Sequence, residues 1–193
     1  MRFRTALATL AAYSTVGAAQ VEISITTANG TESEKRTRTQ LERILALHDL
    51  DKWILSTDVV IDEKAIPHSH PVLTLHTRHT DDLQLLSALI HEQLHWHLVA
   101  HWERVELAIE ELRERYPTVP TGGREGARSA ESTYLHLLVN YLEYDAMRQI
   151  VGEVHAREVM EFLATDHYTW IYGTVLSDEE QIGDLIDRFA LGI

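Results

Sequence analysis

The chain contains no cysteine among its 193 residues. Disulfide bonds and thiolate metal sites are therefore excluded, and a metal site must be built from histidine and carboxylate side chains. Basic residues are also few, because 17 lysines and arginines stand against 30 aspartates and glutamates. The net charge of −13 makes nucleic acids and anionic membrane surfaces unfavourable partners.

The beginning of the chain lacks acidic residues and has the composition of an export signal. Arg2 and Arg4 form a basic start, residues 6–16 are largely apolar and uncharged, and Gly17-Ala18-Ala19 supplies small residues. This pattern predicts a signal peptide over residues 1–19 and a secreted or periplasmic protein, with a docked helix or an organelle-targeting segment as the alternative. The apolar run is too short to cross a bilayer, so we expect no stable membrane insertion.

Residues 20–193 are expected to form a single domain, because this length suffices for one hydrophobic core. The spacing of apolar residues predicts strands and helices in mixed order. The predicted strands cover 21–26, 53–61 and 72–78, and the predicted helices cover 33–48, about 81–115, 133–151, 153–164 and 177–190, with a break at 165–174. The fold class predicted is α+β, mainly helical, with a small antiparallel or mixed sheet in which the second and third strands pair as antiparallel neighbours.

Two histidines stand four residues apart in the sequence His91-Glu92-Gln93-Leu94-His95, inside the predicted helix that begins near residue 81. Residues four apart project from one face of a helix, so both imidazoles can bind one metal ion, with Glu92 towards its open side. H-E-x-x-H on a helix is the pattern of zinc-dependent hydrolases. The alternative is a histidine-rich amphipathic helix that binds no metal.

A catalytic zinc ion takes three protein ligands, so a third must come from elsewhere in the fold. Glu143 lies in the strongly apolar helix predicted at 133–151, where a glutamate must be paired or metal-bound. Glu143 is therefore the favoured third ligand. His136, seven residues earlier on the same face, is the second candidate and could instead line the cleft or be a hydrogen-bonded core histidine. Asp145 ranks third.

The H-E-x-x-H helix followed by a helix with Glu143 resembles the gluzincin group of zinc metallopeptidases, in particular its small, uncharacterised zincin-like members. The resemblance covers roughly residues 33–164. It implies a zincin-like core, Zn²⁺ held by His91, His95 and Glu143, peptide or protein substrates, and Glu92 as the general base that activates water. It also implies that an edge strand, here residues 72–77, lines the cleft. Thermolysin-like members have an N-E-x-x-x-D run, where this chain has Leu142 and Met147.

The residues after the Glu143 helix are candidates for the group that stabilises the oxyanion, because folds of this kind often supply one there. His155 and Tyr168 are favoured over His167 and Tyr172, although the aromatic residues of this stretch could simply pack. The predicted activity is that of a zinc metallopeptidase. The second hypothesis is a non-proteolytic zinc-binding or interaction domain on the same scaffold, and the third is a metal-free helical domain.

Overall fold

A computed structural model describes residues 21–193, so the predicted signal peptide at 1–19 lies outside the described residues. The elements in chain order are β1 (Ser24–Thr27), α1 (Glu32–Leu47), a short 3-10 turn (Asp51–Trp53), β2 (Asp58–Ile61), β3 (Leu73–Leu75), α2 (Asp82–Ala100), α3 (Trp102–Arg115), α4 (Ala130–Val151), α5 (Glu153–Asp166), α6 (Thr169–Ser177) and α7 (Glu179–Arg188). The mainly helical α+β class is confirmed. Within 21–193, no helix combines the length and apolar character needed to span a membrane.

The three strands form one sheet in the order β1-β2-β3, and both neighbouring pairs are parallel. The predicted antiparallel pairing is therefore wrong. Parallel neighbours need a long connection that carries the chain back to the same end of the sheet. Helix α1 does this between β1 and β2, and the irregular segment 62–72 does it between β2 and β3. Apolar spacing identifies a strand but does not specify its direction.

Two helix boundaries differ from the sequence prediction. The helix expected to reach Arg115 is interrupted at His101, whose backbone leaves the helical region at φ −118° and ψ 26°. Residues 169–174, expected to be part of a break, belong to α6. Backbone carbonyls of Arg124 and Glu125 accept hydrogen bonds from the first two N–H groups of α6 at 2.9 and 3.2 Å. These bonds satisfy donors that a helix start cannot pair internally.

Helices α2 and α4 pack against each other in the centre of the domain, and their apolar residues belong to one continuous core. The prediction that the helix at 133–151 is largely buried is confirmed. Its buried residues include Leu137, Leu138, Val139, Tyr144 and Met147, and the buried residues of α2 include Leu86, Leu89 and Ile90. Polar side chains at this interface therefore lie in surroundings of low polarity, where each needs a partner.

The turn between β1 and α1 is held by the buried carboxylate of Glu34. It accepts hydrogen bonds from the Asn29 backbone and side chain, both at 2.8 Å, and from the backbone N–H groups of Glu63 at 3.2 Å and Thr31 at 3.4 Å. Burial alone would raise the pKa of Glu34, but these donors outweigh it and lower the pKa to about 2. Glu34 therefore connects the start of α1 to the end of β2.

Replacing Glu34 by glutamine is expected to lower the melting temperature by several degrees at pH 7, because an amide offers one acceptor oxygen to donors that now share two. The folded-state pKa of about 2 lies below the ordinary value of 4.5. The contribution of Glu34 is thus complete above that ordinary value and is lost as the pH falls towards the folded-state value. Thermal unfolding followed by circular dichroism between pH 2 and pH 7 measures this, and the wild type should lose more stability than the variant.

The control is Glu32→Gln, which changes a side chain that is 78% exposed in the same helical turn. It should leave the melting temperature nearly unchanged. Equal melting temperatures for both variants and the wild type would contradict the role assigned to Glu34.

Candidate metal centre

Three imidazoles converge where α2 packs on α4. His91 and His95 project from α2 and His136 from α4, and one ring nitrogen of each lies within 4.8 Å of the others. The ring centroids are 5.1, 5.1 and 5.5 Å apart, so the rings form a nearly equilateral triangle. This group can hold one metal ion.

The hydrogen bonds of two rings show which nitrogen is available for a metal. His91 Nδ1 lies 2.9 Å from Glu143 Oε2, and His136 Nδ1 lies 2.6 Å from the backbone carbonyl oxygen of Ser132. Both partners are acceptors, so each Nδ1 carries the proton and Nε2 keeps its lone pair. Metal-binding histidines almost always donate their other N–H to a carboxylate or carbonyl in this way. Two of the three rings therefore have the orientation of ligands.

Glu143 lies beside His91 rather than within the group of converging nitrogens. Its side chain is 1% exposed and also accepts hydrogen bonds from the Ser87 hydroxyl and from the Tyr172 hydroxyl at 3.1 Å. A histidine ring cannot present to a metal the nitrogen that faces Glu143, so this carboxylate stands behind His91. The structure thus places the second sequence candidate, His136, in the group of converging nitrogens and the first, Glu143, in a hydrogen bond with His91.

Asp145, the third sequence candidate, makes its contacts away from the group of converging nitrogens. Its carboxylate accepts hydrogen bonds from Arg148 at 3.2 Å and Gln149 at 2.8 Å on α4 itself. Ser87 is a site residue that the sequence reasoning missed. Its position one turn before His91, on the same helix face, was the available signal.

Burial and neighbouring charges set the pKa values of the three imidazoles. It lowers the pKa of His95 to about 2 and that of His136 to about 3, with a further contribution from the charge of His91. Burial alone would also lower the pKa of His91, but the hydrogen bond and negative charge of Glu143 raise it. His95 and His136 are therefore neutral at pH 7, as imidazole ligands must be.

Glu92 faces the same space as the three histidines. All four side chains line a cavity of about 750 Å³ between α2, the start of α4, the segment 66–70 and the glycine-rich loop at 122–126. Burial raises the pKa of the Glu92 carboxyl. The Glu92 side chain makes no hydrogen bond to any residue in the described range 21–193, so its carboxylate is available to a water molecule or substrate.

The two sequence candidates for oxyanion stabilisation lie in different places. Tyr168 lines the cavity, and its ring centroid is 4.7 Å from that of His136. Its backbone adopts a left-handed conformation, with φ 50° and ψ 37°, at the junction between α5 and α6. The His155 side chain is 60% exposed on α5, contacts Glu158 at 3.2 Å and does not line the cavity. The structure therefore brings Tyr168 to the histidine group and does not bring His155 there.

The edge strand expected to line the cleft is covered by the chain itself. Thr74, the central residue of β3, donates a backbone hydrogen bond to His68 at 2.8 Å and accepts one from it at 3.1 Å. The segment around His68, rather than β3, then forms the cavity wall. A peptide cannot add to β3 at Thr74 while this pairing persists.

We compared the chain with protein-family models, with curated proteins and with solved structures, and none of the three searches found a significant match.

The geometry predicts different costs for removing His136 and for neutralising Glu143. If the three histidines hold a zinc ion, His136→Ala removes a ligand and should weaken Zn²⁺ binding by more than 100-fold, whereas Glu143→Gln changes only the hydrogen-bond partner of His91 and should weaken it by about 10- to 100-fold. Competitive titration against a chelator of known affinity measures both, after circular dichroism has shown that the variants are folded. His155→Ala is the matched control and should bind Zn²⁺ like the wild type.

Normal affinity in His136→Ala, together with complete loss in Glu143→Gln, would show that Glu143 is the ligand instead.

Proposed function

We propose that the protein is a zinc-dependent hydrolase that cleaves peptide bonds. The observation that carries this proposal is the presence, in one cavity, of three converging histidines and the free carboxylate of Glu92. A mononuclear hydrolase needs this combination, because the metal ligands and the general base must reach the same water molecule.

The donor set fits zinc. Three imidazoles match its preference for nitrogen ligands and leave the fourth tetrahedral position open, as in catalytic zinc sites. Bound there, a zinc ion would lower the pKa of a water molecule and polarise the scissile carbonyl group. We therefore assign His91, His95 and His136 as the zinc ligands. The gluzincin resemblance stays a prediction, and this assignment differs from it in the third ligand.

The chain's own residues divide the remaining tasks. Glu92 accepts a proton from the attacking water and returns it to the leaving amine, first as base and then as acid. Tyr168 is suited to donate a hydrogen bond to the carbonyl oxygen, because it stands beside His136 on the cavity wall. Glu143 keeps His91 in the Nδ1–H tautomer through their 2.9 Å contact. Export through the segment 1–19 stays a prediction as well.

The first test of the proposal is the substitution Glu92→Gln. It preserves size and neighbouring contacts but removes the proton acceptor, so kcat should fall by about 100- to 10,000-fold while zinc stoichiometry stays the same. The measurement is cleavage of a mixed peptide library by the zinc-loaded protein, read by mass spectrometry.

The variant, purified in parallel, also controls for contaminating proteases. A wild type that binds one zinc ion per chain but cleaves no peptide would favour the non-proteolytic zinc-binding domain. Equal cleavage by wild type and variant would show that the activity is not that of this site.

Tyr168 and Tyr172 allow a second test, because both are tyrosines of the same corner with different partners. Tyr168→Phe should lower kcat by about 100-fold or more, with KM and zinc affinity little changed, if its hydroxyl stabilises the developing negative charge. Tyr172→Phe removes a hydrogen bond to Glu143 and should instead weaken zinc binding. The reverse pattern would contradict both assignments.

A further inference from the structure

The cavity lacks the acidic excess of the protein as a whole. The chain carries 30 acidic residues and a net charge of −13, yet among residues 21–193 the only carboxylates that line the cavity are Glu92 and Glu143. Two arginines line the cavity as well, together with four histidines besides His91, His95 and His136. The Glu143 carboxylate already accepts hydrogen bonds from three donors. The cavity is therefore more favourable to an anionic ligand than the surface around it.

The two arginines of the cavity differ in their partners. The Arg78 guanidinium is paired with the Asp166 carboxylate. Arg128 is exposed at the cavity wall, and nowhere in the described part of the chain does it find a hydrogen-bond or ion-pair partner. A free guanidinium is a preformed fork for a carboxylate, since it can donate two parallel hydrogen bonds.

The position of Arg128 sets its distance from the metal group. It directly precedes Ser129, the N-cap of α4, and His136 follows Ser129 by seven residues on that helix. At 1.5 Å per residue, Ser129 and His136 are about 10 Å apart along the helix axis. An arginine side chain spans much of this distance. A carboxylate bound by Arg128 would therefore lie about one or two residues from the scissile bond of an extended substrate.

Backbone pairing offers little alternative affinity for a substrate in this cavity. Thr74 of β3 is already paired with His68. In the segment 66–70, Pro67 lacks an N–H group, and the Ser69 carbonyl accepts a hydrogen bond from Trp96 Nε1 at 3.0 Å. Neither segment can extend a sheet by adding a peptide strand, so recognition must rest on side chains.

From these observations we infer that the substrates are peptides with a carboxylate one or two residues from the scissile bond, and that Arg128 binds this carboxylate. The inference rests on the proposed hydrolase function and specifies its substrate class. Arg128 is then a specificity-determining residue.

Hydroxamates test the inference without turnover, because they bind a catalytic zinc ion but are not cleaved. The zinc-loaded protein is titrated by calorimetry with the monohydroxamates of succinic, glutaric and adipic acid, and with matching compounds whose free carboxylate is a neutral amide. At least one acid should bind about 10- to 100-fold more tightly than its amide, as expected for hydrogen bonds to a charged group. Arg128→Gln should abolish this preference, because it lowers the affinity for the acids far more than the affinity for the amides.

The matched control is Arg115→Gln, which removes the same charge from a residue that does not line the cavity. It should retain the preference. Equal binding of acids and amides by the wild type would overturn the inference, and so would a preference that survives in Arg128→Gln. Failure of every hydroxamate to bind the zinc-loaded protein would show that the zinc ion has no open position, and it would overturn the proposed hydrolase function and the inference with it.

Peptides then identify the source of the carboxylate. One set places Asp or Glu next to a cleavable bond, and the other compares free with amidated C-termini. Preference for either form, lost in Arg128→Gln, supports the inference, whereas equal cleavage of all forms contradicts it. Absence of cleavage, with the hydroxamate preference intact, would contradict the peptidase assignment alone.

Discussion

The hydrogen-bonded carboxylate of Glu143 is the interaction on which the geometry of the site depends. A buried carboxylate without partners would cost several kcal/mol. Here Ser87 and His91 of α2 and Tyr172 of α6 all donate to it, so three helices meet at one charged group. The same contact keeps Nδ1 of His91 protonated and turns Nε2 towards the other two histidines. The hydrogen bonds of Glu143 therefore both hold the helices together and orient the His91 ring.

Helix α4 contributes to the centre in two ways. His136 and Glu143 are seven residues apart on one face, so they lie two helical turns apart along the interface with α2. His136 supplies one of the three converging imidazoles, and Glu143 supplies the acceptor that orients His91. Because both residues belong to one rigid helix, a shift of α4 relative to α2 would disturb a ligand and its support together. We therefore expect metal binding to be lost when the packing of α4 against α2 is lost.

The residues that could be predicted from sequence are those whose relation is local. His91, Glu92 and His95 share one turn of one helix, so helical periodicity alone placed them together, and the burial of Glu143 followed from its apolar neighbours. The order of His136 and Glu143 about the metal could not be predicted. Both residues face α2, and which of them joins His91 and His95 depends on the position of α4 along the axis of α2. Strand direction in the sheet and the exposed position of His155 likewise depend on long-range packing, which apolar spacing does not encode.

The central claim is that three imidazoles hold the metal while Glu143 supports one of them. Zinc K-edge X-ray absorption on the zinc-loaded wild type and on Glu143→Gln tests it most directly, because imidazole rings produce a recognisable scattering pattern. We expect three imidazole nitrogens at about 2.0–2.1 Å from the zinc ion in both proteins. Two imidazoles in the wild type, with a carboxylate oxygen that disappears in Glu143→Gln, would contradict it.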